Sequence, residues 1–190
     1  MGPGVALLDY DADGDLDLYC IQSGPLPGRG EGLPNRLFAN DGSGAFTEVS
    51  GAAGAGDTGY GMGAAVGDVD GDGTADLLVL NWGSDRLFRG VPGEGRFEEV
   101  LGFPGGDDWS VSAVFFDAEG DGDEDLYIVH YLRVTLLDHI AQGFPGGFHG
   151  YPHPDRFPAA FDTFLLGEGG SFTDATRASG LREPGGKGLG

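Results

Sequence analysis

Three short segments of this chain carry oxygen-bearing side chains at every second position and a glycine near the middle. They span residues 9–17, 68–76 and 117–125. If each segment is numbered 1 to 9, these side chains stand at positions 1, 3, 5, 7 and 9, and glycine stands at position 6. Calcium binds about six to eight oxygen ligands in a flexible shell and is well served by carboxylates. The spacing therefore predicts one Ca²⁺-binding loop in each segment.

The predicted ligands of each loop are the side chains at positions 1, 3, 5 and 9 and the backbone carbonyl at position 7. Glycine at position 6 allows the sharp bend that turns alternate positions inward. A backbone ligand at position 7 also explains why threonine is tolerated there in the second loop. The predicted metal-binding residues are Asp9, Asp11, Asp13, Asp15, Asp17, Asp68, Asp70, Asp72, Thr74, Asp76, Asp117, Glu119, Asp121, Asp123 and Asp125.

Electrostatic repulsion supports the same interpretation. Two carboxylates about 4 Å apart repel by about 1 kcal/mol even at the dielectric constant of water. Without a cation such a loop would open or take up protons. A solvated acidic turn is the alternative for any single loop, but recurrence at three equivalent places favours calcium. Magnesium fits less well, because it prefers few carboxylates and keeps several waters.

Two features exclude a helical EF-hand. That site requires a bidentate glutamate at position 12 and a helix on each side of the loop. Position 12 is occupied here by Cys20, Val79 and Ile128, and the flanking segments are typical of strands. The aspartates at position 9 are therefore expected to complete the ligand shell.

The elements that hold these loops repeat along the chain. The loops begin at residues 9, 68 and 117, which gives spacings of 59 and 49 residues, and a period near 50 is typical of propeller blades. An apolar run stands on each side of every loop, and a hairpin with a glycine-rich turn follows. This order predicts an all-β fold of about three β-propeller blades, each of four antiparallel strands. The hairpins span residues 35–46, 85–97 and 162–172.

The repeats also predict where the blades divide. We expect blades at residues 1–58, 59–107 and 108–184, with 185–190 as the start of a further blade. The third blade contains an insertion at 131–160, which the other two lack and in which residues 133–142 have the apolar spacing of a short helix. Propellers close with about four to eight blades, so the chain is expected to be a fragment or a partial array.

The acidic composition excludes several partners. The chain has 31 Asp and Glu residues against 10 Lys and Arg, and a formal net charge of −21. Nucleic acid and anionic lipid would be repelled by such a charge. No apolar run approaches the roughly 20 residues that span a bilayer, so no membrane insertion is expected in this segment.

The repeated residues resemble the FG-GAP/VCBS repeat family, which includes integrin α-chain propellers. The likeness is greatest to the group of cartilage acidic proteins and ASPIC/UnbV proteins. It is carried by residues 9–19, 35–49, 59–68 and 151–158. The resemblance implies a seven-bladed propeller with calcium in the blade loops, an extracellular or cell-surface setting, and a role in adhesion or ligand binding.

These features favour a calcium-stabilised scaffold that binds a protein or a glycan, and not an enzyme. The sequence contains no nucleophile elbow, phosphate-binding loop or dinucleotide fingerprint, so no catalytic or organic-cofactor residues are predicted. The alternative is a propeller-type carbohydrate-active enzyme with structural calcium, because glycoside hydrolysis uses pairs of carboxylates. Insertion residues that this alternative would use are His149, His153 and Asp155.

Overall fold

The computed structural model describes residues 3–25, 30–134 and 154–181. Within these residues twelve strands form three antiparallel sheets of four strands, and neighbours in each sheet follow chain order. Sheet 1 contains β1 (Val5–Leu8), β2 (Asp17–Cys20), β3 (Arg36–Asn40) and β4 (Phe46–Glu48). Sheet 2 contains β5 (Gly61–Gly67), β6 (Asp76–Asn81), β7 (Arg86–Gly90) and β8 (Phe97–Glu99). Sheet 3 contains β9 (Ser110–Phe116), β10 (Asp125–His130), β11 (Thr163–Glu168) and β12 (Ser171–Asp174).

The architecture confirms the predicted all-β fold of four-stranded antiparallel units. Helical structure in the described ranges is limited to one turn, α1 (Ser50–Ala53), and a 3₁₀ turn at Pro154–Arg156. Between its end residues, the second strand of each sheet consists of leucine, valine, isoleucine and tyrosine, which suit a pleated surface. The three sheets are consistent with propeller blades.

The middle sheet is buried on both faces. All six residues of β6 are buried, because its side chains alternate between two neighbouring sheets. Leu77 and Val79 pack into a core shared with sheet 1, whereas Leu78 and Leu80 pack into a core shared with sheet 3. Each fully buried leucine contributes about 1.5–3 kcal/mol relative to an exposed one. Burial along β6 therefore holds the three sheets in one stack.

The first strands of the three sheets lie side by side. Strand β5 contacts β1 on one side and β9 on the other. Beyond them, Val5 and Leu7 on the outer face of sheet 1 are 60% and 57% exposed. Val114 and Phe116 on the outer face of sheet 3 are 54% and 38% exposed. These are the faces on which further blades would pack in a repeat array. Closure with seven blades stays a prediction, as does the division of the chain after residues 58, 107 and 184.

Most of the predicted insertion lies outside the described residues. This applies to the helix expected at 133–142 beyond Val134, to His149 and His153, and to the blade start expected at 185–190. The described flanks come together through an isolated bridge between Leu132 and Ala159. None of the helices in the described part of the chain is long and apolar enough to cross a membrane.

Candidate metal centres

The three acidic loops occupy the same place in the three sheets. Loop 1 (residues 9–17), loop 2 (68–76) and loop 3 (117–125) each connect the first strand of a sheet to the second. Position 1 directly follows the first strand, and position 9 is the first residue of the second strand. Antiparallel pairing of these two strands closes each loop at its base.

The carboxylate at position 1 shapes each loop. In loop 1, Asp9 Oδ1 accepts a hydrogen bond from Asp13 N and Asp9 Oδ2 accepts one from Gly14 N, both at 3.1 Å. Gly14 has a φ of 92°, a left-handed conformation that glycine adopts without steric cost. The same two bonds recur at 3.0–3.2 Å in loops 2 and 3. Position 1 therefore curls the chain around its own carboxylate.

The carboxylate at position 5 makes the next bend. Asp13 Oδ1 accepts a hydrogen bond from the amide of Asp15, two residues later, at 2.9 Å. The corresponding bonds in the other loops are 2.8 Å and 3.0 Å long. Each of these aspartates is exposed, so its second oxygen faces solvent or a ligand. The position 5 residues are Asp13, Asp72 and Asp121.

The aspartate at position 9 is buried and anchors the loop to the sheet. In sheet 2, Asp76 Oδ2 accepts a hydrogen bond from Val69 N at 2.7 Å, and Asp76 Oδ1 accepts one from Gly90 N at 2.8 Å. Asp17 and Asp125 bind the equivalent amides of position 2 and of the third strand. Burial raises the pKa of Asp76 to about 6, although the two amide bonds oppose the rise.

The carboxylate at position 3 is the least satisfied group of the first two loops. Asp11 Oδ1 and Asp70 Oδ1 are buried and have no hydrogen-bond partner among the described residues. Burial, followed by the charge of Asp13, raises the pKa of Asp11. A buried oxygen without a donor costs about 1–3 kcal/mol. A cation at this point would remove that cost.

Loop 3 differs at the same position. Glu119 stands there, and its pKa is raised first by a hydrogen bond with the Asp125 side chain. The charges of Asp125 and Asp121 act in the same direction. Crowded negative charge of this kind is relieved by a cation, so position 3 of loop 3 is also suited to positive charge.

Three carboxylates converge in every loop. One ligand oxygen from each lies within 4.8 Å of those of the other two. The groups are Asp9, Asp11 and Asp13 in loop 1, Asp68, Asp70 and Asp76 in loop 2, and Asp117, Glu119 and Asp125 in loop 3. Clusters of hard, anionic oxygens can hold a metal ion. Of the other predicted ligands, Asp17, Asp72 and Asp121 lie in the same loops outside these groups, as do Asp15, Thr74 and Asp123 at position 7.

A protein-family model identifies the repeat. The model for the FG-GAP-like repeat matches residues 9–79 and again residues 68–128. Both matches begin at a position 1 aspartate, and together they span more than half of the chain. The chain belongs to the FG-GAP-like repeat family. This confirms the resemblance noted in the sequence.

A curated relative of the FG-GAP-like chain is cartilage acidic protein 1 from Xenopus tropicalis. The two sequences are 31% identical over 103 residues, which cover 52% of this chain and 15% of the relative. The chain therefore spans only a small part of that protein's length.

The FG-GAP-like sheets have a second repeated polar position that the sequence analysis did not identify. It lies at the opposite end of each sheet, one residue before the third strand. There Asn35, Asp85 and Asp162 each accept a hydrogen bond at 2.7–2.9 Å from a backbone amide at or just after the end of the second strand. Burial raises the pKa of Asp85 to about 8. The available signal was an Asn or Asp at the start of each predicted hairpin.

Proposed function

We propose that this chain is a calcium-stabilised, non-catalytic scaffold that binds a protein or glycan outside the cell. One Ca²⁺ would occupy each acidic loop. The observation that carries this proposal is the pair of buried oxygens without donors, Asp11 Oδ1 and Asp70 Oδ1. They stand at the same position of two loops, next to further carboxylates within 4.8 Å. Because the same oxygen lacks a donor in both loops, we infer that each loop binds the same kind of ion there.

The donor set favours calcium among divalent ions. Each loop offers several carboxylates and backbone carbonyls, and calcium tolerates a large, irregular oxygen shell. Magnesium requires near-octahedral geometry and keeps several waters. The side chains at positions 1, 3, 5 and 9 and the carbonyl at position 7 would hold the ion. Position 1 contributes most to preparing the site, because its two amide bonds already curl the loop.

Calcium would supply positive charge where the first two strands of a sheet meet. The aspartate at position 9 links that point to the third strand, so an ion held there would stiffen three strands together. Three ions of charge +2 would change the formal net charge from −21 to −15. The surface would remain acidic, which still disfavours nucleic acid and anionic lipid as partners.

An extracellular or cell-surface setting suits calcium loops of this kind. Extracellular calcium modules work with dissociation constants of roughly 10⁻⁴–10⁻³ M, whereas the cytosolic ion is far scarcer. Family membership supports the same setting.

A binding role also fits the loops better than catalysis does. The loop carboxylates accept hydrogen bonds from amides of their own loops, so their role in the fold is to shape the loop. No described residue specifically favours the carbohydrate-active alternative.

Thermal unfolding with calcium and with a chelator tests the proposal. A ligand that binds only the folded state at 100 times its Kd stabilises that state by about 2.7 kcal/mol. For a chain of this size we expect a rise in Tm of about 5–10 °C for each loop that is filled. The same concentration of magnesium should give a much smaller rise.

A matched variant identifies the ligands. Asp11→Asn with Asp70→Asn should remove most of the calcium-dependent rise contributed by loops 1 and 2, and should leave Tm in chelator almost unchanged. Identical melts of the parent protein in calcium and chelator would overturn the calcium proposal. Binding to a glycan array and to matrix proteins, each with and without calcium, tests the scaffold role.

A further inference from the structure

Loop 3 sends one carboxylate into loop 2. Glu124 stands at position 8 of loop 3, between the predicted ligands at positions 7 and 9. Its Oε2 accepts a hydrogen bond of 2.8 Å from the backbone amide of Asp68, which is position 1 of loop 2. A side chain at Gly67 would collide with this carboxylate, so the glycine leaves the room that the contact needs. The hydrogen bond connects the backbones of two neighbouring loops.

A second link runs through Arg89 of β7. Its Nε lies 3.5 Å from Asp70 Oδ2, at position 3 of loop 2. Its Nη2 donates a hydrogen bond to the carbonyl of Gly170, in the turn between β11 and β12. In the same turn, Gly169 N donates to Asp123 Oδ2, at position 7 of loop 3, at 3.1 Å. Arg89 and this turn therefore connect a side chain of loop 2 with a side chain of loop 3.

Among the described residues, neither link exists at the matched junction between loops 1 and 2. Position 8 of loop 2 is Ala75, which has no carboxylate, and Leu8 occupies the place that matches Gly67. The residue of β3 that matches Arg89 is Ala39. Gly95 packs against Asp11 across this junction, but no hydrogen bond joins loops 1 and 2 within the described ranges. The molecule thus contains a linked and an unlinked pair of otherwise similar loops.

We propose that Glu124 and Arg89 couple loops 2 and 3, so that calcium in one raises the calcium affinity of the other, while loop 1 binds independently. The inference rests on the calcium loops proposed above. An ion in loop 3 would fix positions 7 and 9 on both sides of Glu124, which orders the carboxylate that holds Asp68. Loop 2 would then lose less conformational freedom when it binds its own ion. The coupling is reciprocal, so loop 2 affects loop 3 by the same factor.

Calorimetric titration of calcium into proteins with chosen loops measures this coupling. Asp13→Asn, Asp72→Asn and Asp121→Asn weaken loops 1, 2 and 3 at position 5, and each asparagine keeps an oxygen for its backbone amide. The coupling factor is the overall binding constant of a two-loop protein divided by the product of the two single-loop constants. We expect roughly five-fold coupling for loops 2 and 3. For loops 1 and 2 the factor should lie near one.

Variants of Glu124 then test whether this residue couples loops 2 and 3. Glu124→Ala should bring the factor for loops 2 and 3 down towards one, because Asp68 N loses its acceptor. Glu124→Gln keeps an acceptor oxygen and should retain most of the coupling, which a purely electrostatic effect would not. The factor for loops 1 and 2 is the internal control and should not respond to either change.

The outcomes separate this inference from the proposal beneath it. Absence of calcium binding to the parent protein would overturn the calcium loops themselves. Normal binding with a factor of one or less at both junctions would overturn the coupling alone. A five-fold factor that survives Glu124→Ala would remove Glu124 from the mechanism. Melts in chelator check that each variant is folded. If Glu124→Ala is not, Glu124→Gln carries the test, because a factor of one in that variant would contradict coupling through an acceptor oxygen.

Discussion

The two ends of each sheet use the same side chains for different purposes. At the loop end, the carboxylates at positions 1 and 3 are exposed or half-buried, and they converge with a third carboxylate from position 5 or position 9. At the opposite end, Asn35 and Asp85 are buried and each binds a single backbone amide across a hairpin. The side chain of asparagine can take the place of aspartate at that end, because one acceptor oxygen is enough for the backbone amide. The comparison teaches that the number of converging oxygens, and not acidity alone, indicates a cation site.

The aspartate at position 9 combines features of both ends of the sheet. It lies in the loop sequence, yet Asp17, Asp76 and Asp125 are between 0% and 1% exposed. Both oxygens of each accept backbone amides. Its removal is therefore expected to cost stability even without a cation, in contrast to the exposed aspartate at position 5 of the same loop.

The largest effect is expected from Asp76→Ala. The change leaves the amides of Val69 and Gly90 buried without an acceptor, at about 1–3 kcal/mol each. The variant no longer has to bury the Asp76 carboxylate, which offsets part of this loss of stability. We expect the free energy of unfolding in chelator to fall by about 3 kcal/mol, measured by urea denaturation. Asp72→Ala, at position 5 of the same loop, should cost under about 1 kcal/mol. Equal losses for the two variants would contradict the distinction between anchor and exposed ligand.

The position of the acidic loops between the first and second strands could be predicted from the sequence for a physical reason. Oxygen at every second position around a glycine is a local pattern, and its recurrence in three repeats separates it from a random acidic turn. The four-stranded sheets follow from the same period. Contacts between sheets could not be predicted in this way, because no local sequence pattern indicates that Glu124 contacts Asp68 or that Arg89 contacts Gly170. The only visible trace was a glutamate at position 8, where loops 1 and 2 carry Leu16 and Ala75.

The opposite end escaped prediction because its residues resemble ordinary turn formers. Asn and Asp before a strand commonly cap a turn, so Asn35 and Asp85 carry no distinctive signal. Their burial depends on packing between sheets. Asp85 Oδ2, for example, accepts a hydrogen bond from Ser110 Oγ at the start of sheet 3, at 2.7 Å. Only the assembled stack turns this hairpin residue into a link between sheets 2 and 3.

Asp85 makes the stability of the opposite end depend on pH. Burial raises its pKa from the ordinary value of 3.8 to about 8, and the charges of Asp107 and Asp57 act in the same direction. The folded chain therefore keeps a proton that the unfolded chain has lost. Stability from this proton is complete below pH 4 and is lost as pH rises towards 8. In chelator we expect the free energy of unfolding to fall by about 2 kcal/mol between pH 6 and pH 8.

The matched variant for this prediction is Asp85→Asn. Asparagine can accept the hydrogen bond from Asn81 N as Asn35 accepts the one from Gln22 N. It carries no titrating proton, so the pH dependence of unfolding should become flatter by the amount that Asp85 contributes. The difference between the parent and the variant isolates the contribution of Asp85. An identical slope in both proteins would show that Asp85 is ionised in the folded chain.

The smallest effect is expected from Thr74→Ala, which tests how the loop end uses position 7. If the ligand there is the backbone carbonyl, loss of the hydroxyl should change the calcium affinity of loop 2 by less than about three-fold. Stability should fall by about 0.5 kcal/mol at most, because the Thr74 methyl packs against Gly90. Asp72→Ala in the same loop is the control and should weaken binding by at least about ten-fold, since it removes a charged ligand. Calorimetry on proteins that retain loop 2 alone measures both changes. A similar loss from Thr74→Ala would mean that the hydroxyl is a ligand, and the alternation of side-chain oxygens would then matter at all five odd positions and not at four.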